Sequence, residues 1–403
     1  MLTASLLSTL AFSACASPAP AHPIRLASPV TISDWMLRNP GPSWGPEGVH
    51  QILDRAKECG WTAVYWRVWD GGKALYPSKL LEPSFKLDAV NYWRDRDAKI
   101  IAALERYDYG SWDSFREAID YGHKIGLEVH AWLSLNEDDH GYGWSSRFAR
   151  EHPQFVWVTR DGRRFRTQMS FAFPQVRAYK LECLREILAY HPDGIFFDWI
   201  RTGDVRDNPQ TDPVGIANYG YESPNLDHFR ARFGIDAHDV PNDDPRWIAV
   251  RAEPQTEWMR EAHAVIRSKY PRLPISVMTQ HPWSYRGGPT DTPYAGSLNG
   301  LLVDVKTWAR LGLVDEVVFA GYYRGGGDME KAWRWLHDEV EGRVPVWMYA
   351  WNGTDVPTFR HDVELAEKLG APQLLLWESD YVGLAPAMPD LVSAMHAYAH
   401  PSE

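Results

Sequence analysis

The feature that most constrains the fold of this chain is a regular alternation of strand-like and helix-like segments that begins near residue 30. Apolar runs rich in β-branched and aromatic residues are each followed by an amphipathic stretch, a pattern typical of βα units around a parallel sheet. The predicted strands are residues 30–35, 63–68, 128–133, 194–199, 275–279, 316–320, 344–349 and 373–377. The predicted helices are residues 48–58, 112–125, 176–189, 256–270, 303–311, 329–340, 356–369 and 389–398. Eight such units predict an α/β fold of the (β/α)8 TIM barrel type, with an open doubly wound sheet as the alternative.

The length of the chain favours one large domain after a short leader. At 403 residues with 44% hydrophobic content, the chain can bury a single core of barrel size. We expect residues 1–21 to form a leader and spacer, and residues 22–403 to form the barrel. The longest loops are predicted after the second, third, fourth and fifth strands. They would lie together on the carboxyl-terminal face of the barrel and form the sides of a cleft there.

The amino terminus has the pattern of an export signal. A short apolar stretch over residues 2–12 runs into Phe12-Ser13-Ala14-Cys15, which resembles a bacterial lipobox. That stretch is too short to span a bilayer as a mature helix. The pattern predicts a lipoprotein anchored to a bacterial membrane at Cys15. The alternatives are release after cleavage at Ala16 or Ala21 and, last, a cytoplasmic protein. The first two interpretations predict export, to the periplasm or cell surface as a lipoprotein, or as a secreted protein.

Charge and composition indicate which classes of partner the chain can bind. The net charge of -11 and the absence of a Lys/Arg cluster argue against nucleic acid and against an anionic membrane surface. The chain has 20 Trp and 19 Tyr, whose flat apolar faces and polar edges suit sugar rings. Cys59 and Cys183 lie on predicted helices without CxxC spacing, so we expect buried thiols rather than a disulfide or a zinc site. No cofactor is expected, and the oligomeric state is left open.

Polar and aromatic residues recur where the predicted strands end. Because the carboxyl ends of parallel strands meet at one face of a barrel, we expect these side chains to converge on a carbohydrate there. Trp132 and Trp351 are expected to stack on sugar, and charged or amide groups to bind its hydroxyls. The candidate substrate-binding residues are Asp34, Trp35, Arg67, His130, Trp132, Asn136, Arg201, Gln280, Tyr322, Trp351 and Asp380.

Two carboxylates are the candidate catalytic residues. Asp198 ends the apolar run Gly194-Ile195-Phe196-Phe197, so we expect it to be partly desolvated, with Arg201 keeping it ionised. Glu378 follows the last predicted strand as its counterpart. Hydrolysis of a glycosidic acetal needs two carboxyl groups across one cleft. The alternatives for the second carboxylate are Asp34 and Asp380.

The histidines allow a competing interpretation. His130, Asp198 and Glu378, with His281, offer imidazole and carboxylate ligands of the kind that Zn, Mn or Fe accept. They come from different strands and show neither HExxH nor His-x-His spacing. A metal-dependent hydrolase or deacetylase is therefore kept as an alternative.

Several motifs resemble one bacterial family. The motifs are Trp61-Thr62-Ala63-Val64-Tyr65-Trp66-Arg67-Val68, Glu151-His152-Pro153-Gln154-Phe155-Val156, Arg160-Asp161-Gly162, Pro174-Gln175-Val176-Arg177-Ala178-Tyr179, and the run from Asp193 to Thr202. Together they resemble the glycoside-hydrolase-like family 10-like proteins, many of them lipoproteins, over most of residues 30–398. The resemblance implies a (β/α)8 barrel that acts on polysaccharide. It also implies that Asp198 matches the acidic residue that ends the fourth strand.

These observations predict an exported glycoside hydrolase, with Asp198 as nucleophile or base and Glu378 as general acid. The alternative from another class is a non-catalytic surface glycan-binding lipoprotein, which would keep the barrel but lack a competent acid pair. The sugar, the linkage and the choice between endo and exo action are left open.

Overall fold

The computed structural model describes residues 23–36, 42–83, 107–136, 138, 146–198, 200, 219–280, 302–320, 329–351, 355–377, 379 and 388–401. Its strands are β1 (Arg25–Val30), β2 (Ala63–Asp70), β3 (Lys73–Ala74), β4 (Glu128–Ser134), β5 (Val156–Val158), β6 (Arg164–Met169), β7 (Ile195–Asp198), β8 (Ile275–Gln280), β9 (Glu316–Ala320), β10 (Val346–Trp351) and β11 (Gln373–Trp377). Its helices are α1 (Ile32–Met36), α2 (Pro46–Glu58), α3 (Ser114–Ile125), α4 (Arg147–Glu151), α5 (Pro174–Leu188), α6 (Ser223–Phe233), α7 (Pro245–Lys269), α8 (Val305–Arg310), α9 (Met329–Glu339), α10 (Val356–Leu369) and α11 (Pro389–Ala399).

Eight parallel strands close into a barrel in the order β1-β11-β10-β9-β8-β7-β4-β2, and β2 returns to β1. The closure is visible at Ala27, which aligns with Leu375 of β11 and with Ala63 of β2. An open doubly wound sheet would leave two unpaired edge strands. The structure therefore confirms the TIM barrel and rules out the alternative.

The barrel interior is filled by aromatic side chains from several strands. The ring of Tyr65 lies 4.8 Å from Phe196 and 5.4 Å from Trp347, which places residues of β2, β7 and β10 in one layer. The strands are also covered outside: Phe197 packs edge-on against Trp258 of α7 at 5.2 Å. Burial on both faces explains why the strands read as continuous apolar runs.

Aspartate side chains fix the starts of several helices. The carboxylate of Asp113 accepts a hydrogen bond from Arg116 N at 3.0 Å at the start of α3. Such a cap pairs a backbone N–H that the helix itself leaves unpaired. The same arrangement is found at Asp244, Asp304 and Asp355, before α7, α8 and α10. Each cap thus fixes the residue at which its helix begins.

The first strand lies earlier than predicted. β1 covers Arg25–Val30, and the chain then turns into the short helix α1. The predicted strand at residues 30–35 is therefore wrong. Pro29 lies inside β1 and lacks the N–H that a central strand normally donates, which is why propensity alone misplaces this strand.

A small accessory unit lies beside the barrel and was not predicted. The β5–β6 hairpin and α6 contribute to a separate apolar cluster around Tyr221, Phe229 and Trp247. Arg160 ties the hairpin to this cluster, because its guanidinium donates to Val240 O at 2.8 Å and to Tyr221 Oη at 3.2 Å.

Cys59 and Cys183 are buried and form no disulfide, as predicted, and burial raises the pKa of each thiol to about 12.

No helix within the described ranges has both the length and the apolar character needed to cross a membrane.

Candidate active site

Asp198 ends β7 at the carboxyl-terminal mouth of the barrel. Side chains alternate along the strand, so Asp198 points inward like Phe196, while Phe197 points outward. Asp198 aligns with Ser134 at the end of β4, and Leu135 N donates to its backbone O at 2.9 Å. Its exposed fraction is 0%. The structure thus places a fully buried carboxylate where the sequence contains the candidate catalytic residue.

Trp132 contacts Asp198 directly. Its indole Nε1–H donates to Asp198 Oδ2 at 3.2 Å, and the side chain is 4% exposed. The ring packs edge-on against Trp377 at 5.3 Å, and the Arg67 guanidinium lies 4.6 Å from its centroid. The predicted stacking of sugar on Trp132 does not fit this burial. Its visible role is to hydrogen-bond the carboxylate.

Arg67 connects three residues at the mouth. It lies on the inward face of β2 and donates to Ser134 Oγ from Nε at 3.1 Å and from Nη2 at 2.6 Å. Nη2 also lies 2.7 Å from Oδ1 of Asp70, a buried carboxylate that ends β2. Asp70 is not among the residues predicted from the sequence, although it ends a strand as Asp198 does. Further hydrogen bonds help to offset the cost of burying an ion pair, and Ser134 Oγ accepts two from the Arg67 side of this one.

Trp35 and Asp34 belong to α1, just beyond the end of β1. Trp35 is fully buried, and its Nε1–H donates to Ser379 Oγ at 2.8 Å. This bond ties the loop after β1 to the end of β11 across the closure of the barrel. Asp34 is half-buried. Trp35 therefore does not present a face to a sugar, whereas the substrate-binding role of Asp34 stays a prediction.

Asn136 lies two residues beyond β4 and is buried. Its Nδ2 donates to Ile200 O at 3.5 Å, which joins the loops that follow β4 and β7. Asn136 also lines a narrow cavity of about 20 Å³ between the barrel and the accessory unit. Such a volume holds about one water molecule and no sugar ring.

Glu222, a buried carboxyl group that the sequence analysis missed, lines the same cavity. Burial raises the pKa of Glu222 to about 7. Hydrogen bonds to the carboxylate act in the opposite direction and lower the pKa, but the effect of burial is larger. Val158 N donates to Oε1 at 3.1 Å and Asn225 Nδ2 donates to Oε2 at 3.2 Å. Glu222 therefore joins the β5–β6 hairpin to the start of α6. No motif in the sequence marks such a residue.

The placement of His130 corrects a prediction. It lies near the start of β4, four residues before Ser134, and hence roughly 13 Å along the strand from the level of Asp198. Its ring is 4% exposed, lies 5.0 Å from Tyr65, and has Nε2 at 3.1 Å from Glu128 Oε2. His130 therefore belongs to the opposite, amino-terminal end of the barrel and does not bind substrate at the mouth.

Charged groups cluster at this amino-terminal end of the barrel, the lower end. Arg25 pairs with Glu128, whose pKa is lowered to about 2, chiefly by the His130 hydrogen bond and then by Arg25. Glu316, from β9, has its pKa raised by burial. In TIM barrels this face serves stability rather than chemistry.

The remaining candidates lie outside the described residues. Gln280 and Trp351 end β8 and β10, but only their backbone is described. Cys15, Arg201, Tyr322, Glu378 and Asp380 are wholly outside. Among the residues whose placement is described, no three His, Cys, Asp or Glu side chains come together as a metal site.

The closed barrel is similar in fold to the barrels of several solved glycosidases. It superposes on the α-L-fucosidase isoenzyme 2 from Paenibacillus thiaminolyticus with a TM-score of 0.60 and 14% identity, covering 93% of this chain and 49% of that chain. The catalytic domain of β-amylase from Paenibacillus polymyxa gives 0.58 and 9%, covering 93% and 97%. At such low identity the likeness concerns the fold.

Residues 35–350 match the family described as Glycosyl hydrolase-like 10, and the chain belongs to that family. A curated relative is glycosyl hydrolase DigH from Escherichia coli, 22% identical over 307 residues, which cover 72% of this chain and 61% of the relative. The chain thus matches less than two thirds of that relative's length. The resemblance inferred from the motifs is confirmed, and it supports a glycosidase-type function.

Proposed function

We propose that this protein is an exported glycoside hydrolase that acts on a polysaccharide or oligosaccharide. The observation that carries the proposal is Asp198, a fully buried carboxylate at the carboxyl-terminal end of the fourth barrel strand. Catalytic groups of TIM-barrel enzymes lie on that face. Membership of a glycosyl-hydrolase-like family supports the same reaction class.

In this proposal Asp198 acts as nucleophile or base, and Glu378 acts as general acid. Glu378 protonates the departing glycosidic oxygen, while Asp198 either attacks the anomeric carbon or removes a proton from the attacking water. Carboxyl groups about 5–5.5 Å apart give retention of configuration, and about 6.5–9.5 Å gives inversion. The anomer first released, followed by NMR, therefore reports the spacing of the pair.

The hydrogen bonds of Trp35 and Trp132 reduce the number of residues that we propose to contact the substrate. Trp35 and Trp132 are buried and hydrogen-bonded to Ser379 and Asp198, so stacking on sugar is assigned to Trp351, and Tyr322 stays a substrate-binding residue in this proposal. Hydroxyl binding is assigned to Arg67 and Asp34 at the mouth. The further hydroxyl-binding groups in this proposal are Arg201, Gln280 and Asp380.

The first test is a screen of bacterial and plant polysaccharides for released reducing ends, with wild type beside Asp198→Asn. Asp193→Asn is a matched control from the other end of the same run, because Asp193 accepts a hydrogen bond from Val129 N at 2.7 Å, away from the mouth. We expect wild type and Asp193→Asn to release sugar and Asp198→Asn to be inactive. Full activity in Asp198→Asn would overturn the assignment.

Two other outcomes would identify different functions. Glycan binding by wild type without any release would identify a glycan-binding protein. Activity that is lost to a chelator and restored by added metal would identify a metal-dependent hydrolase or deacetylase.

The second test concerns Glu378. A general acid matters most when the leaving group is poor, since a good leaving group departs without a proton. Glu378→Gln should therefore lose activity on the natural linkage but keep much of it on an aryl glycoside with an acidic phenol. Equal losses on both substrates would remove Glu378 from the acid role, and the same comparison for Asp34→Asn and Asp380→Asn would then locate the acid.

Export is proposed from the leader at residues 1–21, with lipidation at Cys15. Mass spectrometry of the mature amino terminus tests this directly. A diacylglyceryl group on Cys15 that disappears in Cys15→Ala supports the lipoprotein form. A free terminus beyond Ala16 or Ala21 supports release, and an intact Met1 contradicts export.

A further inference from the structure

The hydrogen bond between Trp132 and Asp198 is a buried polar contact at the mouth of the barrel. Both residues lie on inward-facing positions of adjacent strands, β4 and β7, with exposed fractions of 4% and 0%. The indole Nε1–H is donor only, and it points at the carboxylate oxygen Oδ2 at 3.2 Å. Buried partners of this kind hold one geometry, because water does not compete for either group.

The indole ring itself is held by its neighbours. Arg67 covers one face at 4.6 Å, and Trp377 meets the ring edge-on at 5.3 Å with an interplanar angle of 68°. Arg67 is in turn fixed by two hydrogen bonds to Ser134 and by its ion pair with Asp70. The direction of the Nε1–H bond is therefore set by packing on β2, β4 and β11 rather than by Asp198 alone.

We infer that Trp132 is a positioning residue, which fixes the rotamer of Asp198 and favours its ionised form, rather than a platform for sugar. This inference rests on the proposed function, in which Asp198 reacts as a carboxylate. A donor hydrogen bond stabilises the charged form of a carboxyl group more than the neutral form. It also holds the reacting oxygen in line for attack, which matters because small misplacements are costly in rate.

The test variant is Trp132→Phe, which removes the N–H and keeps most of the ring between Arg67 and Trp377. The matched control is Trp66→Phe. Trp66 is fully buried one position before Arg67, faces outward, and has an Nε1–H without a hydrogen-bond partner among the described residues. It controls for loss of indole volume from the same sheet.

In Trp132→Phe we expect kcat to fall roughly tenfold, as for loss of a hydrogen bond to a charged group, with KM little changed. The acid limb of the kcat/KM profile should move to higher pH, because the lost donor stabilised the charged form of the carboxyl group. Trp66→Phe should keep the wild-type profile. If Trp132→Phe raised KM but left kcat and the pH profile unchanged, Trp132 would stack on sugar after all. Identical kinetics in wild type, Trp132→Phe and Trp66→Phe would overturn the inference.

A second measurement does not depend on turnover. In 15N-labelled protein the Trp132 indole resonance, assigned by its absence in Trp132→Phe, should titrate with pH in wild type. In Asp198→Asn that titration should be gone. A resonance that behaves alike in wild type and Asp198→Asn would overturn the inference even if the enzyme is active. An inactive wild type with the expected titration would overturn the proposed function and leave the contact established.

Discussion

Gly194 lies directly against the ring of His130: a Cβ atom at Gly194 would lie 2.6 Å from Cε1 of His130 and closer still to Nδ1. The φ of Gly194 is not positive, so the backbone conformation does not require glycine there. The requirement is steric and comes from the neighbouring strand. The glycine that opens the run to Asp198 is thus needed for packing at the lower end of the barrel.

Gly194→Ala should destabilise the protein by about 2 kcal/mol or more, because the added methyl overpacks a filled interior. Urea denaturation measures the loss. His130→Ala in the same chain should make Gly194→Ala nearly neutral, since the ring that it strikes is gone. Additive losses in the double variant would contradict the steric account.

Glu222 should make stability depend on pH. Its folded pKa is raised to about 7 by burial, so between pH 4.5 and 7 the folded protein binds more protons than the unfolded chain. Stability contributed by this group is therefore lost as pH rises through that window, and the loss is complete above pH 7. Glu222→Gln avoids the cost of burying a charge. Its stability relative to wild type should rise by roughly 3 kcal/mol from pH 4.5 to pH 8.

Urea denaturation at several pH values measures this difference for Glu222→Gln. A difference that does not change with pH would show that the Glu222 carboxylate is not desolvated as described.

The ion pair between Lys180 and Asp138 should matter for the loop after β4. Both side chains are 0% exposed, with Nζ 3.0 Å from Oδ1, and Nζ also lies 4.4 Å from the Trp69 ring centroid. Lys180→Met leaves a buried, unpaired carboxylate and should cost about 3–5 kcal/mol. Adding Asp138→Asn should recover part of that loss. If Lys180→Met unfolds at the same urea concentration as wild type, the pair contributes nothing.

The barrel itself was predictable because its strands are buried on both faces. Two predicted strands, residues 316–320 and 373–377, coincide with β9 and β11. The first and last residues of these strands were predictable because each is a short apolar run between two turns. β1 was misplaced because Pro29 interrupts the pattern. The β5–β6 hairpin was missed because residues 156–158 form a very short strand, in which Val158 packs against a cluster from α6 and α7, far along the chain.

The site was predictable in part. Alternation along β4 shows that His130, Trp132 and Ser134 share one face, but it does not show how deep each lies in the barrel. Depth decides function here, since His130 belongs to the amino-terminal end of the barrel, whereas Trp132 aligns with Phe196 and its indole reaches Asp198. The burial of Trp132 follows from Arg67 and Trp377 on other strands. Such contacts between distant segments cannot be deduced from a single sequence.

The central claim is that Asp198 performs chemistry rather than glycan binding. Its most direct test is a pair of measurements on Asp198→Asn with a glycan that wild type hydrolyses: the rate of reducing-end release and the Kd by calorimetry. We predict that release falls at least about a thousandfold, while Kd stays within a few-fold of the KM of wild type. Release at the wild-type rate, or loss of binding in parallel with loss of release, would contradict the claim.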